Sequence, residues 1–283
     1  MFDTYGQERC IGGAPLNFSA HLVHSGVDAY LLSAVGDDAL GDEAREKAIA
    51  YGVHTDFLGV DADHATGECR VTLDERGVPC YHLLTEVAYD HITLPPTLSE
   101  HHFEVFYFGT LALRSPTNRE TVRAVLRQKN YDDVLVDMNV RKPFSDAESM
   151  RMALENATIL KVSDEELPTV MDEVFGLREL SVDQAVAAIH RAYPRIGIVL
   201  VTCGADGSVA YVPQENRRYP CAAVPTDVVS TVGAGDSFSA AFLARYLRQK
   251  SLPECLTYAS KISAFVVSQK DAIPPVDAAW PTE

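Results

Sequence analysis

The chain has 283 residues, of which 47% are hydrophobic and 23% are charged, as in ordinary globular proteins with a sizeable core. Its 40 acidic residues outnumber its 24 basic residues, and the resulting formal net charge of −16 argues against binding to nucleic acids or to anionic membranes. The six cysteines form no C-x-x-C pair, and no apolar run reaches transmembrane length, so we expect a cytoplasmic protein with reduced thiols and no zinc ribbon.

Short apolar runs alternate with amphipathic segments along the chain. The apolar runs predict buried parallel strands at residues 29–35, 105–108, 134–137, 159–162 and 198–202. The amphipathic segments predict helices at residues 17–25, 42–51, 118–128, 146–155, 182–192 and about 237–250. This alternation is typical of an α/β fold with helices on both faces of a mostly parallel sheet.

One segment departs from the alternation. Residues 68–74 and 78–84 follow a strand pattern, and Glu75-Arg76-Gly77 joins them with no helix nearby. This pattern predicts a β-hairpin. No internal repeat or low-complexity linker divides the chain, so we expect one domain over residues 1–283.

A glycine-rich turn leads into a predicted helix at Gly233-Ala234-Gly235-Asp236. The glycines let the backbone direct successive N–H groups toward one point, to which the helix presents its positive dipole end. An anion is expected to bind there. The Asp236 carboxylate would repel phosphate, but it is well placed to take a proton from a hydroxyl that attacks a phosphoryl group. The alternative is a simple helix N-cap.

A second glycine pair, Gly12-Gly13, precedes Asn17 near the start of the chain. Paired glycines let the backbone approach a ligand closely. Asn17, at the start of a predicted helix, offers both donors and acceptors, which suit the vicinal hydroxyls of a sugar. The alternative is a tight turn with an Asn cap.

Together these two motifs resemble the two signatures of the ribokinase-like (PfkB) family of carbohydrate kinases, most closely its fructokinase branch. Further matches follow in the family's order over essentially the whole chain, at residues 35–38 with 41, 88–90, 137–141, 161–166, 201–207 and 268–272. The resemblance implies a ribokinase-like three-layer α/β/α core with a mostly parallel sheet. It also implies a small β-sheet lid formed by residues of about 4–11 and 66–86.

The resemblance implies an ATP-dependent kinase in which Asp236 is the general base and the turn of Gly233, Ala234 and Gly235 completes the catalytic group. The absence of G-x-x-x-x-G-K-[ST] excludes a P-loop kinase. The sugar-binding residues implied by the resemblance are Asp3, Gly12, Gly13, Asn17, Tyr89 and Arg141. The nucleotide-binding residues that it implies are Lys161, Ser163, Thr202, Gly204, Gly207 and Gly235.

Glu166 matches the acidic end of the family's N-x-x-E motif, which supports Mg²⁺ through water. Ser163 stands where that motif has Asn. Ser230 and Asp271 replace the Asp and Gly that many relatives have beside a site for K⁺. These two substitutions make K⁺ activation doubtful, and we expect activity in Na⁺ to lie close to that in K⁺.

The start of the chain also departs from the family pattern. In the family a first core strand precedes the substrate-binding Asp, and here Asp3 occupies that register directly after Met1 and Phe2. The first core strand is therefore expected to be missing, and the native gene is expected to start upstream.

We expect a kinase that phosphorylates a small sugar, most closely a fructokinase that forms fructose 6-phosphate, with ATP and Mg²⁺ as ligands. A homodimer formed through the lid is a further expectation. 2-Keto-3-deoxygluconate kinase and ribokinase stay open as alternatives, and the absence of Lys from residues 12–15 disfavours ribokinase. An alternative of another class is a non-catalytic sugar- or nucleotide-binding regulator, which Asp236 disfavours.

Two histidine pairs, His21/His24 and His101/His102, have the spacing that invites a metal site. Neither pair has carboxylates or thiolates that converge on it in the sequence, as the ligand sets of metals require. The sequence therefore predicts solvated or capping histidines at these positions.

Overall fold

The computed structural model describes residues 1–5, 8–73, 79–276 and 280–281. Within residues 3–8 and 71–81 it describes no side chains. Glu75-Arg76-Gly77, the connection predicted for the hairpin, lies outside the described residues. Among the helices of the described part, none is long and apolar enough to cross a membrane.

The strands of the described part are, in chain order, β1 (Phe2–Tyr5), β2 (Glu8–Ile11), β3 (Ser33–Gly36), β4 (Leu58–Asp61), β5 (Glu68–Leu73), β6 (Pro79–Leu83), β7 (Phe103–Gly109), β8 (Tyr131–Asp137), β9 (Ile159–Ser163), β10 (Ile198–Thr202), β11 (Ser208–Val212) and β12 (Arg217–Cys221). The α-helices are α1 (Ala14–His24), α2 (Ala39–Ala50), α3 (Pro116–Gln128), α4 (Ala147–Asn156), α5 (Leu167–Val170), α6 (Val182–Ala192), α7 (Ala234–Leu247) and α8 (Leu252–Val267).

The central sheet has the strand order β12-β11-β10-β9-β8-β7. Strands β7 to β10 run parallel to one another, and β11 and β12 add antiparallel neighbours at one edge. Parallel strands need a crossover segment between them, and α3, α4 and α6 supply these crossovers. Their carboxyl ends therefore lie at one edge of the sheet, where open α/β sheets bind ligands.

The core lies on both faces of this sheet. Successive side chains of a strand point to opposite faces, so Val134 and Val136 of β8 join one apolar cluster and Leu135 joins another. The first cluster includes side chains of α4 and α6, and the second includes side chains of α7 and α8. Helices therefore cover both faces, which confirms the predicted three-layer α/β/α architecture.

The first predicted strand is shorter than the sequence indicated. Residues 29–35 reduce to β3, which pairs only with β4 among the described strands, while Tyr30 forms an isolated bridge with His54. In the described part of the chain, no strand pairs with the edge of β7 opposite β8. A cavity of about 300 Å³ lies in this region, and its lining includes Leu32, Ala34, Val105 and Tyr107.

A separate four-stranded sheet has the order β2-β1-β5-β6. Strands β5 and β6 form the predicted hairpin, and β1 lies parallel to β5 and antiparallel to β2. Asp3 lies within β1, opposite Cys10 and Cys69, so this sheet begins at Phe2 rather than at about residue 4. The side chain of Asp3 lies outside the described part, and its contact with a sugar stays a prediction.

Candidate active site

Four elements bring their ends together at one edge of the central sheet. Asp137 is the last residue of β8, and Lys161 lies beside it on β9. The first turn of α7 carries Asp236, which accepts a hydrogen bond from Asn17 of α1. The sequence motifs around Asn17 and Asp236 are 219 residues apart, and the fold places their side chains 2.8 Å apart.

The start of α7 has a backbone that only glycine adopts easily. Gly233, at φ +82°, precedes the helix, and a Cβ on it would lie 2.9 Å from the carbonyl oxygen of Ala272. Ala234, Gly235 and Asp236 then form the first turn, whose N–H groups have no acceptor within the helix. The N–H of Ala234 donates to the carbonyl of Thr231, which leaves the N–H groups of its neighbours for an anion, and anion binding at this turn stays a prediction.

Asp236 is a carboxylate whose surroundings favour proton uptake. Burial raises its pKa to about 6, and the neighbouring carboxylate of Asp137 acts in the same direction. The hydrogen bond from Asn17 opposes this shift, as do the charges of Lys161 and Arg141. A carboxylate with a pKa near 6 is ionised at neutral pH and still basic enough to accept a proton from a hydroxyl.

Asp137 and Lys161 form a buried ion pair below this helix end. Lys161 Nζ donates to Asp137 Oδ1 over 3.1 Å, and the two side chains are 8% and 1% exposed, respectively. Burial opposes the charge on Lys161, but Asp137 and Glu166 outweigh it and raise the lysine pKa. Nζ also lies 3.1 Å from the position of a Cβ on Gly235, so a permanent positive charge sits beside the predicted anion site.

Glu166 and Ser163 close a small loop after β9. Glu166 Oε1 accepts the N–H of Val140, and Oε2 accepts the N–H of Ser163, over 2.7 and 2.8 Å. Ser163 Oγ accepts the N–H of Glu166 in return. The carboxylate is thus held in place by backbone donors, and each of its oxygens keeps a lone pair for a water ligand of a hard cation.

Gly12 and Gly13 lie directly before the helix that carries Asn17. Gly13, at φ +104°, is the residue before α1, and the N–H of Gly12 donates to the carbonyl of Met1. Asn17 is 3% exposed, and its Oδ1 has no hydrogen-bond partner among the described residues. Because its amide group already donates to Asp236, this orphaned oxygen is an acceptor that a sugar hydroxyl would satisfy.

Tyr89 is fixed by an arginine that the sequence did not single out. Arg114 Nη2 donates to the Tyr89 hydroxyl over 2.9 Å, and the guanidinium pairs with both carboxylate oxygens of Asp90 at 2.6 and 2.7 Å. The Tyr89 hydroxyl in turn lies 3.9 Å from the sulfur of Met1. Arg141 is exposed after β8, and its charge acts on Asp236.

Three of the six residues predicted to bind nucleotide, Thr202, Gly204 and Gly207, lie at the turn after β10. Thr202 ends that strand, and Cys203 donates its N–H to the carbonyl of Gly207 to close the turn. A Cβ on Gly207, at φ +99°, would lie 2.2 Å from the carbonyl of Cys221, whereas one on Gly204 would meet nothing within 4 Å. The close packing explains glycine at 207, and nucleotide binding by these residues stays a prediction.

The two positions predicted to border a K⁺ site lie in different surroundings. Ser230 donates its N–H to the carbonyl of Val267, and its hydroxyl accepts the N–H of Val232. Asp271 is exposed, and its charge adds to burial in raising the pKa of Tyr51. K⁺ binding by either residue therefore stays a prediction.

His21 departs from its prediction as a solvated or capping residue. It is fully buried, and burial lowers its pKa to about 4. Its Nε2 donates to the carbonyl of Ala272, the group that packs against Gly233. The side chain therefore supports the turn before α7 from below, a role that the sequence spacing alone does not reveal.

We expect Gly233→Ala to raise the KM for nucleotide and to cost about 1–2 kcal/mol of stability, the strain of a left-handed backbone at a residue with a Cβ. The extra carbon would also push the Ala272 carbonyl away. Gly176→Ala is the matched control, because Gly176 has φ +66° but open space around its Cβ position. Equal KM values in the two variants, measured by steady-state kinetics, would contradict a role for this turn in phosphate binding.

Comparisons with known proteins identify the family and the fold of this chain. The family model described as pfkB family carbohydrate kinase matches residues 7–279. The probable fructokinase-5 of Arabidopsis thaliana is 27% identical, with 98% of this chain and 90% of that protein covered. A 5-dehydro-2-deoxygluconokinase of Listeria monocytogenes is 25% identical, with 98% and 87% covered. The fructokinase from Vibrio cholerae O395, solved with fructose, ADP and calcium ion, has a TM-score of 0.82 at 22% identity, with 96% and 91% covered.

Proposed function

The chain belongs to the pfkB family of carbohydrate kinases, and we propose that it transfers the γ-phosphoryl group of ATP to the C6 hydroxyl of D-fructose. The observation that carries the proposal is the contact between Asn17 and Asp236 at the start of α7. It joins a group suited to sugar hydroxyls to a carboxylate suited to take a proton. Fructokinases among the similar proteins support the choice of sugar.

Asp236 is the general base in this proposal. Its carboxylate takes the proton of the C6 hydroxyl as that oxygen attacks the γ-phosphorus and the bond from the γ-phosphorus to the bridging oxygen of ADP breaks. Asn17 orients the carboxylate through its amide group. The Oδ1 atom of Asn17 accepts a hydrogen bond from a second hydroxyl of the sugar, which fixes the reacting oxygen.

The phosphates of ATP bind at the N-terminal turn of α7, with Lys161 beside them. The N–H groups of Gly233 and Gly235 stabilise negative charge that develops on the transferring group, whereas the N–H of Ala234 donates to the carbonyl of Thr231 and shapes the turn. Lys161 adds a positive charge that Asp137 holds in position. Glu166 fits a hydrated Mg²⁺ because its oxygens retain lone pairs, and Mg²⁺ supplies neutralisation of phosphate charge.

The four-stranded sheet acts as a lid over the sugar in this proposal. Its strand β2 leads directly into Gly12 and Gly13, and Met1, the residue before β1, contacts Tyr89. Closure over a bound sugar would exclude water, which otherwise competes with the sugar hydroxyl for the phosphoryl group.

A sugar acid such as 2-keto-3-deoxygluconate is the second candidate substrate. Arg141 favours it, because this exposed cation after β8 acts electrostatically on Asp236 and would pair with a carboxylate. The 25% identical 5-dehydro-2-deoxygluconokinase supports the same class. Arg141→Ala separates the candidates, since it should lower kcat/KM for a sugar acid far more than for fructose.

The experiment that tests the proposal is an ADP-release assay across a panel of sugars. The panel contains fructose, ribose, 2-keto-3-deoxygluconate and 5-dehydro-2-deoxygluconate, each at saturating ATP and Mg²⁺. We expect the highest kcat/KM for fructose. A sugar acid as the best substrate would replace fructose by the second candidate, and ADP release independent of every sugar would contradict the sugar site.

We expect Asn17→Ala to raise the KM for the sugar much more than the KM for ATP, because removing a buried hydrogen-bond partner costs about 1–3 kcal/mol. The same change removes the amide that lowers the pKa of Asp236, so the acidic limb of the pH profile should move upward. Asn156→Ala is a control, since the side-chain amide of Asn156 bonds the carbonyl of Met152 near the end of α4. A rise in the KM for ATP instead would mean that the two pockets are reversed.

A further inference from the structure

Two histidines and a glutamate converge at the base of the lid hairpin, which consists of β5 and β6. His64, Glu86 and His91 each offer a ligand atom, and these atoms lie within 4.8 Å of one another. His64 lies in the connection that enters the hairpin, and Glu86 and His91 lie in the connection that leaves it. Neither the histidine pairs considered from sequence nor the residues of the candidate active site belong to this cluster.

A neighbouring carboxylate selects the tautomer of His64 and orients its ring. Its Nδ1 lies 2.9 Å from Oδ2 of Asp61, and because a carboxylate only accepts hydrogen bonds, Nδ1 carries the proton. Nε2 of His64 therefore keeps a lone pair. Histidines that bind metals commonly donate their other nitrogen to a carboxylate in this way, which orients the ring and increases its basicity.

His91 brings a second nitrogen without a partner. Its Nε2 is buried and has no hydrogen bond among the described residues, and Oε2 of Glu86 lies 3.7 Å from it. The rings of His64 and His91 are stacked with their centroids 3.6 Å apart. An unsatisfied buried nitrogen is costly, and a cation between it and the glutamate would satisfy it.

We propose that His64, Glu86 and His91 form a site for a Zn²⁺-class divalent cation that clamps the base of the lid hairpin. Two imidazole nitrogens and one carboxylate oxygen are ligands that zinc takes, and a water completes four-coordination. Glu86 and Asp61 together balance the charge of the ion. Zn–N bonds of about 2.0–2.1 Å require the rings of His64 and His91 to tilt toward a common point. The ion would therefore join the two hairpin connections in a conformation in which these rings are no longer stacked.

The first test measures binding without any use of kinase activity. The full chain is titrated with Co²⁺, followed by visible absorption, and with Zn²⁺ by calorimetry, both in excess Mg²⁺ to saturate sites of hard oxygen ligands. We expect one equivalent to bind, with no thiolate-to-cobalt band. His64→Ala and His91→Ala should each weaken binding at least tenfold, and Asp61→Asn should weaken it by about 10–100-fold.

His102→Ala is the matched control, because His102 contacts Asp132 on another part of the surface. Its affinity should equal that of the unchanged chain, and an equal loss in this control would overturn the site. Undiminished affinity in His64→Ala or His91→Ala would overturn it as well. If either alanine variant fails to fold, as seen by its thermal melt, His91→Gln preserves a polar side chain of similar size and must show the same loss.

The second test concerns the clamp. Amide hydrogen exchange in β5 and β6 should slow when one equivalent of Zn²⁺ is added to the unchanged chain and should not respond in His91→Ala. Binding without slower exchange would overturn the clamp. The description of the hairpin as a lid rests on the proposed function, but metal binding and hydrogen exchange do not. Failure of the sugar-kinase assay would therefore leave both of these measurements interpretable.

Discussion

Asp236→Asn is expected to lower kcat by about 10²–10⁴-fold and to leave the affinity for ATP nearly unchanged, because the amide has the same shape but takes no proton. The variant amide can still present an oxygen to Asn17, so the geometry at the start of α7 is retained. Steady-state kinetics with fructose and calorimetric titration with ATP measure the two quantities. A kcat within threefold of the unchanged enzyme would remove Asp236 from the role of base.

The pH dependence of kcat/KM gives an independent readout of the same carboxylate. Burial raises the pKa of Asp236 to about 6, and only its ionised form accepts a proton, so kcat/KM should fall as the pH drops through about 6. The Asp236→Asn profile should lack this limb. Asp227→Asn, which changes an exposed carboxylate nine residues earlier, should keep both the rate and the limb.

The glycine motifs predicted the two sides of the site because their conformational requirements are local. The turn before α7 needs glycine at 233 for its positive φ, and the sequence shows this without any knowledge of the fold. The contact between Asn17 and Asp236 depends on how α1 packs against α7, and the sequence did not predict it. The geometry of that contact came from the structure.

The ion pair beside the site could not be predicted from the sequence, because it too depends on packing between distant segments. Asp137 and Lys161 pair because β8 and β9 are aligned in one register, and a shift of one residue would turn the two side chains to opposite faces. The motif at residues 137–141 contained Asp137, but no local signal marked it as the partner of Lys161. Arg114 and Asp90 are 24 residues apart and meet through loops, which no periodicity predicts.

Strand β12 was not predicted from the sequence, and Pro220 is one reason. Its sequence contains Pro220, which removes a ladder donor and argues against a central strand. The structure places β12 at the edge of the sheet, where proline is tolerated, and its partner β11 supplies the only strand pairing that it has among the described residues. Whether a strand lies at the edge depends on the arrangement of the whole sheet, and it cannot be predicted from the sequence of that strand alone.

Lys161→Met is expected to destabilise the protein by about 3–5 kcal/mol, the usual result of removing one partner of a buried ion pair. Met fills much of the space of the lysine stem, so the loss is electrostatic, because Asp137 is left buried without its cation. Denaturant unfolding at neutral pH measures the change. Lys261→Met, at an exposed position on α8, should change stability by less than about 0.5 kcal/mol.

The dependence of this loss on pH and on Asp137 separates charge from packing. Burial already raises the pKa of Asp137, and without Lys161 the pKa should rise further, so the folded state binds the proton more tightly than the unfolded state. A buried acid whose pKa is raised by folding does not destabilise the folded state at a pH below the pKa that it has in the unfolded chain. As the pH rises from that value toward the pKa in the folded protein, the acid destabilises the folded state increasingly. The deficit of Lys161→Met should therefore be smaller at pH 5 than at pH 8.

Adding Asp137→Asn to Lys161→Met should restore most of the lost stability, because no uncompensated charge remains. A deficit that is independent of pH and unchanged in the double variant would show that the lysine acts through packing alone.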